Sequence, residues 1–178
     1  LCITVIGRDA DAIRQERIAA EVDADLVELR LDAMTRPDAA AALQGRTRPA
    51  IVTCRPVREG GMFDGPEEDR LRVLADAHAY GAEFIDVEWD AVQAPVVSAR
   101  RGRGVVVSRH IFDCTPRNTV PMLQHLRAQG AEFAKLAVTS ERIADLRTLL
   151  HAPRDASSIL IGMGAGGTAT RVLAGRFG

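Results

Sequence analysis

Lysine is nearly absent from this chain: of 23 basic residues among 178, only Lys135 is not arginine. Cysteine is scarce as well. Cys2, Cys54 and Cys114 are odd in number, far apart and without paired metal-ligand spacing, which excludes a disulfide framework or a zinc knuckle and fits reduced thiols in the cytosol. Cys54 is read as core. No apolar run approaches the roughly 18 residues of a membrane helix, and no basic-then-apolar leader opens the sequence, so a cytoplasmic protein without a membrane partner is expected. Like-charge blocks are missing and the formal net charge is -1, which argues against a nucleic-acid partner. The short cluster Arg100, Arg101, Arg103 reads as a solvated loop. There is no linker, low-complexity tract or short repeat. What remains is 47% hydrophobic and 26% charged, enough to bury one core, so a single domain over residues 1–178 is expected.

Short β-branched runs alternate with stretches of helical periodicity, the mark of parallel strands joined by crossover helices. Strands are expected at Leu1–Gly7, Asp25–Asp32, Pro49–Arg55, Glu83–Trp89, Gly104–His110, Glu132–Val138 and Ser157–Gly164. Helices are expected at Ala10–Val22, Pro66–Tyr80, Pro116–Gln129 and Ser140–Leu150. Weaker patterns cover Pro37–Leu43, Ala91–Ala99 and Thr168–Ala174. Thr115 followed by Pro116 predicts an N-cap and a first-turn proline, while Gly81 and Gly130 stand just past helix ends.

The polar residues inside the strands decide among α/β folds. By the period-two rule Glu28, Arg30 and Asp32 share one face and Val27, Leu29 and Leu31 the other. The same split separates Thr53 and Arg55 from Val52 and Cys54, and Asp86 and Glu88 from Ile85 and Val87. It also separates Ser108 and His110 from Val105 and Val107, and Lys135 from Ala134, Leu136 and Val138. A sheet covered by helices on both faces would bury such charges at great cost, whereas a closed barrel has an apolar face toward its helices and another toward its axis. An α/β fold, the (β/α)₈ TIM barrel, is expected. Its chemistry gathers at the C-terminal ends of the strands, where Arg30, Arg55, His110 and the loop residue Glu59 fall.

In a chain that otherwise uses arginine, the mid-strand Lys135 stands out, because arginine cannot serve as an amine nucleophile. A desolvated lysine near other cations, with Arg30 and Arg55 as candidates, can lose its proton and form an imine with a ketone. The plainer alternative is a rim lysine paired with Asp86 or Glu88. His78, His125 and His151 fall in helical stretches and suit structural or surface roles, whereas His110 lies at a strand end beside the lysine strand. An imidazole there suits proton transfer, or else a hydrogen-bonded rim position.

Taken in order, Glu28-Leu-Arg30-Leu-Asp32, Thr53-Cys-Arg55 with Glu59-Gly60-Gly61, Ile85-Asp86-Val87-Glu88, Ser108-Arg-His110-Ile-Phe112 with Thr115-Pro116, Ala134-Lys135-Leu-Ala137, and Met163-Gly164 leading to Thr170-Arg171 resemble the successive motifs of type I 3-dehydroquinate dehydratases. The chain departs from that pattern at Ile111, where the family usually has an acidic or amide residue, and at Thr170, where it usually has serine. The resemblance implies a lyase of the shikimate pathway and of aromatic amino acid biosynthesis. It would dehydrate 3-dehydroquinate to 3-dehydroshikimate through a Schiff base on Lys135, with no cofactor and no metal. It further implies that His110 moves the protons and Glu59 pairs with it. Glu28, Arg30 and Arg55 hold the ring hydroxyls and charged frame, Arg171 clamps the substrate carboxylate, and Thr4 lies near the substrate. A homodimer, or fusion to a downstream pathway enzyme, is compatible with all of this.

Two further patterns carry weaker meaning. Gly162-Met-Gly164-Ala-Gly-Gly167 satisfies a dinucleotide fingerprint, but the eleven residues after it leave no room for a second strand and its ribose-binding acid, so it reads as a barrel turn. Glu67, Glu68 and Asp69 serve a helix dipole rather than a metal. Another Schiff-base barrel such as a class I aldolase, or a non-catalytic barrel, remains the alternative. An aldolase of a phosphorylated sugar calls for a phosphate site after the seventh strand, and a scaffold needs neither Lys135 nor His110. Seven strands fall one short of a closed barrel, so the eighth strand and helix are expected to lie outside this chain.

Overall fold

The structure is a computed structural model that describes residues 1–150 and 156–176. Among the described residues seven strands appear, each within two residues of its expected bounds: β1 Cys2–Ile6, β2 Leu26–Arg30, β3 Ala50–Thr53, β4 Phe84–Glu88, β5 Val105–Ile111, β6 Phe133–Thr139 and β7 Ser158–Met163. Seven α-helices alternate with them: α1 Ala10–Ala20, α2 Ala39–Leu43, α3 Glu67–Ala79, α4 Pro95–Arg100, α5 Thr119–Ala128, α6 Arg147–Leu150 and α7 Thr168–Val172. His151 lies outside the described residues. The chain forms two compact units, one of Leu1–Val87 with Gln93–Arg100, the other of Glu88–Val92 with Arg101 onward.

In the first unit β1, β2, β3 and β4 pair in chain order, all parallel, with Thr4 opposite Glu28, Arg30 opposite Thr53, and Thr53 opposite Asp86. Such pairing demands a crossover after every strand, and α1, α2 and α3 supply it. Asp9 and Asp38 start α1 and α2 by accepting from the amides of Ala12 and Ala41, both at 2.9 Å. Val27, Leu29, Val52, Cys54, Ile85 and Val87 are fully buried, so the apolar face expected from the alternation forms the core.

The second unit repeats the arrangement with β5, β6 and β7, all parallel. Val105, Val107, Ala134, Leu136 and Val138 fill its core. Within this unit Trp89 N donates to Ser108 O at 2.9 Å. Val27 N donates to Pro49 O in the same way where Val27 pairs with Ala50. Trp89 is thereby aligned with Arg109, and Glu88 with Ser108.

Several helix expectations are corrected. Thr115 and Pro116 do not open the fifth helix, which begins at Thr119 with Pro121 in its first turn. The Thr115 hydroxyl is taken instead by the end of β6, donating to Thr139 O at 2.7 Å and sharing a 3.1 Å bond with Ser140 Oγ. The helix expected over Ser140–Leu150 splits into a 3₁₀ turn at Ile143–Leu146 and the short α6. Asp145 caps that turn by accepting from Arg142 N at 3.0 Å. The helix expected over Ala91–Ala99 starts only at Pro95, a residue suited to a first turn.

Candidate active site

Five of the expected residues, Thr4, Glu28, Arg30, Arg55 and Glu59, lie in the first unit. Glu28 sits mid-β2, and both its oxygens accept hydroxyls from neighbouring strands: Thr53 Oγ1 to Oε1 at 2.8 Å and Thr4 Oγ1 to Oε2 at 3.0 Å. Arg30, the last residue of β2, closes a fork on Asp32, with Nε at 2.8 Å from Oδ1 and Nη2 at 2.6 Å from Oδ2. Burial alone would raise the Asp32 carboxyl; the bonds and charge of Arg30 and the amides of Arg55 and Met62 outweigh it and hold the group below its ordinary range. The same bond to Asp32 pushes the Arg30 guanidinium up.

Arg55 follows β3 and is buried, its Nη2 donating to Asp86 Oδ2 at 2.8 Å. Both guanidiniums that sequence offered as cations thus carry a carboxylate partner. Beyond Arg55 the chain folds back on itself: Phe63 N donates to Arg55 O at 3.1 Å and Gly61 N to Pro56 O at 3.0 Å. A Cβ on Gly61 would come within 2.0 Å of Arg55 O, and Gly60 has φ 75°, so the two glycines permit the turn that leaves Glu59 buried.

The second unit holds Lys135, His110 and Arg171. Lys135 is the third residue of β6, opposite Ser108. With Glu88 aligned to Ser108, one row across three strands reads Glu88, Ser108, Lys135, and both Glu88 and Ser108 are fully buried. His110 lies two residues further along β5, opposite Ala137 and on the same face as Lys135. Two residues of rise and one strand spacing separate them by about 8 Å at Cα. The strand runs on to Ile111, one residue past its expected end, and the Phe112 ring stacks on His110 at 6.2 Å. Arg171, in α7, donates from Nη1 to Gly162 O at 2.9 Å.

The glycine-rich Gly162–Gly167 segment is a turn, as expected. A Cβ on Gly167 would lie 2.1 Å from Gly162 O, and one on Gly166 would lie 2.5 Å from Ser140 O. Thr170 ties this turn down, its hydroxyl accepting from Gly162 N at 3.0 Å and donating to Gly167 O at 2.7 Å. Glu67 and Asp69 at the start of α3 pair with Arg70 and Arg72, each at 2.6 Å. Among the described residues no group of three or more His, Cys, Asp or Glu side chains is placed to hold a metal ion. No helix among them is long and apolar enough to cross a membrane.

The sequence matches the type I 3-dehydroquinase family over residues 1–178. The chain belongs to that family. It is 34% identical to the 3-dehydroquinate dehydratase of Methanothrix thermoacetophila over 179 residues, covering 98% of this chain and 78% of the relative. The bifunctional 3-dehydroquinate dehydratase/shikimate dehydrogenase of Arabidopsis thaliana, a chloroplastic protein, is 32% identical, with all of this chain covering 32% of that one. The crystal structure of the Geobacillus kaustophilus 3-dehydroquinate dehydratase superposes with a TM-score of 0.83 at 25% identity, covering 99% of this chain and 78% of that one. The likeness places this type I 3-dehydroquinase in the expected α/β barrel class.

Sequence reasoning did not give roles to Thr53, Ser108 or Asp32. Strand alternation had put all three on the inward face. The missing step was register, which pairs Thr53 with Arg30 and Ser108 with Lys135.

Proposed function

We propose that this chain dehydrates 3-dehydroquinate to 3-dehydroshikimate through a Schiff base on Lys135. The observation that carries the reading is the placement of the single lysine and His110 on adjacent strands, on one face, about 8 Å apart at Cα. A six-membered ring ketone fits between an amine that binds its carbonyl carbon and an imidazole that reaches the next carbon.

The neutral amine of Lys135 adds to the ketone and expels its oxygen as water, leaving an iminium. The iminium draws electrons from the adjacent C–H bond, so His110 removes that proton and an enamine forms. The enamine electrons then expel the ring hydroxyl, which leaves as water with the proton that His110 returns. Hydrolysis of the conjugated iminium frees the enone and restores the amine. The roles assigned to the other residues are the ring hydroxyls and charged frame for Glu28, Arg30 and Arg55, a catalytic part for Glu59, the substrate carboxylate for Arg171, and a place near the substrate for Thr4. The fork of an arginine suits a carboxylate better than a point charge does. Fusion to a downstream dehydrogenase is supported by the bifunctional Arabidopsis relative.

Mass spectrometry after borohydride treatment with 3-dehydroquinate tests the reading. A ligand-derived adduct is expected on Lys135 and absent from Lys135→Ala; an unmodified lysine with turnover intact overturns it. His110→Ala should still be trapped while product formation falls by about 10² to 10⁴. Loss of trapping in that variant would reassign His110.

A further inference from the structure

The hydroxyl of Thr53 is fully buried and aimed at a side chain assigned to substrate binding. Thr53 is the last residue of β3, opposite Arg30 on one side and Asp86 on the other, yet its Oγ1 reaches diagonally to Glu28 Oε1 at 2.8 Å. Thr4 approaches the other oxygen from β1 at 3.0 Å. Arg30, whose Nε and Nη2 fork onto Asp32, adds its charge beside Glu28 without making either of these two bonds. Two hydroxyls on the flanking strands therefore fix both oxygens of one carboxylate.

We infer that Thr53 is a positioning residue for substrate recognition, holding the Glu28 carboxylate in the one rotamer that presents it to the ring hydroxyls of the substrate; this rests on the substrate-binding role proposed for Glu28. Threonine suits the task because its β-branch restricts χ1, and close packing allows the buried side chain no other direction. Serine keeps the donor and loses the branch. Valine keeps the shape and loses the donor. A carboxylate that loses the Thr53 donor is held less firmly in that rotamer, and the substrate hydroxyls then meet a misdirected acceptor. Thr4 serves the same carboxylate from an exposed position on β1 and is the weaker of the two holds.

The test is a double-mutant cycle on kcat/KM for 3-dehydroquinate, with borohydride trapping on Lys135 as a check that the chemistry is intact. Thr53→Val should lower kcat/KM about tenfold, the loss typical of a hydrogen bond to a charged group. Thr53→Ser should stay within about threefold. In a Glu28→Ala background, where both acceptor oxygens are gone, Thr53→Val should have no further effect of more than about twofold. Should the buried Thr53→Val fail to fold, Thr53→Ala removes the same donor without adding bulk, with a loss of about tenfold that also vanishes in Glu28→Ala. Equal losses in both backgrounds would mark Thr53 as merely structural and overturn the inference. So would an unaffected Thr53→Val. Glu28→Ala turning over normally would defeat the substrate-binding role together with the inference, whereas additive losses on an impaired Glu28→Ala defeat the inference alone.

Discussion

Asp32 shows how one side chain sets a stability dependence on pH. It is buried, forked by Arg30 and bonded by Met62 N at 3.1 Å, and its carboxyl is held below the ordinary value. A carboxyl depressed in the folded state contributes stability that is fully present above its unfolded pKa of about 3.9 and is lost as pH falls through the folded value. Asp32→Asn leaves Arg30 without its counter-charge and is expected to cost about 2–4 kcal/mol near neutrality, at the lower end because the arginine is one-fifth exposed. The variant should also lose less stability than the parent below about pH 4. Urea midpoints at neutral and acid pH measure both effects, and parallel acid losses in the two proteins would contradict the assignment. At this same scale the places of Lys135 and His110 on neighbouring strands were legible in sequence, because composition singles out the one and strand position the other. The partners of Glu28 and Arg55 were not, since alternation gives the face of a side chain and never the residue opposite.

At the scale of elements, the strands were legible to within two residues because apolar alternation and β-branching act locally. Helix starts were less so. Thr115 and Pro116 carry a valid capping pattern, but a hydroxyl that reaches Thr139 O and Ser140 Oγ serves tertiary structure instead, and the helix waits for Thr119. The turn from β7 into α7 shows the reverse, a misleading motif with a local physical cause. Its glycines are spaced for close backbone approach rather than for a nucleotide. Thr170 holds that approach, and Thr170→Val should leave Gly162 N and Gly167 O without this partner, costing about 1–3 kcal/mol. Thr170→Ser, the residue usual in the family, should cost less than about 1 kcal/mol. Thermal midpoints of the three proteins decide the matter; a silent Thr170→Val would mean that the turn is held by packing alone.

At the scale of the whole molecule, length and surface bear on activity together. The chain spans 78% of its Methanothrix relative, and in the first unit Leu1, Ile18 and Val22 are each more than half exposed. Apolar side chains beside an edge strand invite association. The Methanothrix relative is longer than the stretch that residues 1–178 match. Expression of these residues alone, and followed by the corresponding C-terminal segment of the Methanothrix enzyme, should give lower solubility and turnover for the shorter form. Equal turnover of 3-dehydroquinate would show that such a segment is dispensable.

Trp89 is the sole tryptophan, and it lies in the second unit with the Arg109 guanidinium 4.6 Å over its ring. Tryptophan emission is therefore a spectroscopic signal from one unit only, while the sole tyrosine, Tyr80, belongs to the other. Calorimetry sees both. Coincident transitions by fluorescence and by heat capacity would mean that the two units melt as a single cooperative body, and separated transitions would give each its own melting temperature.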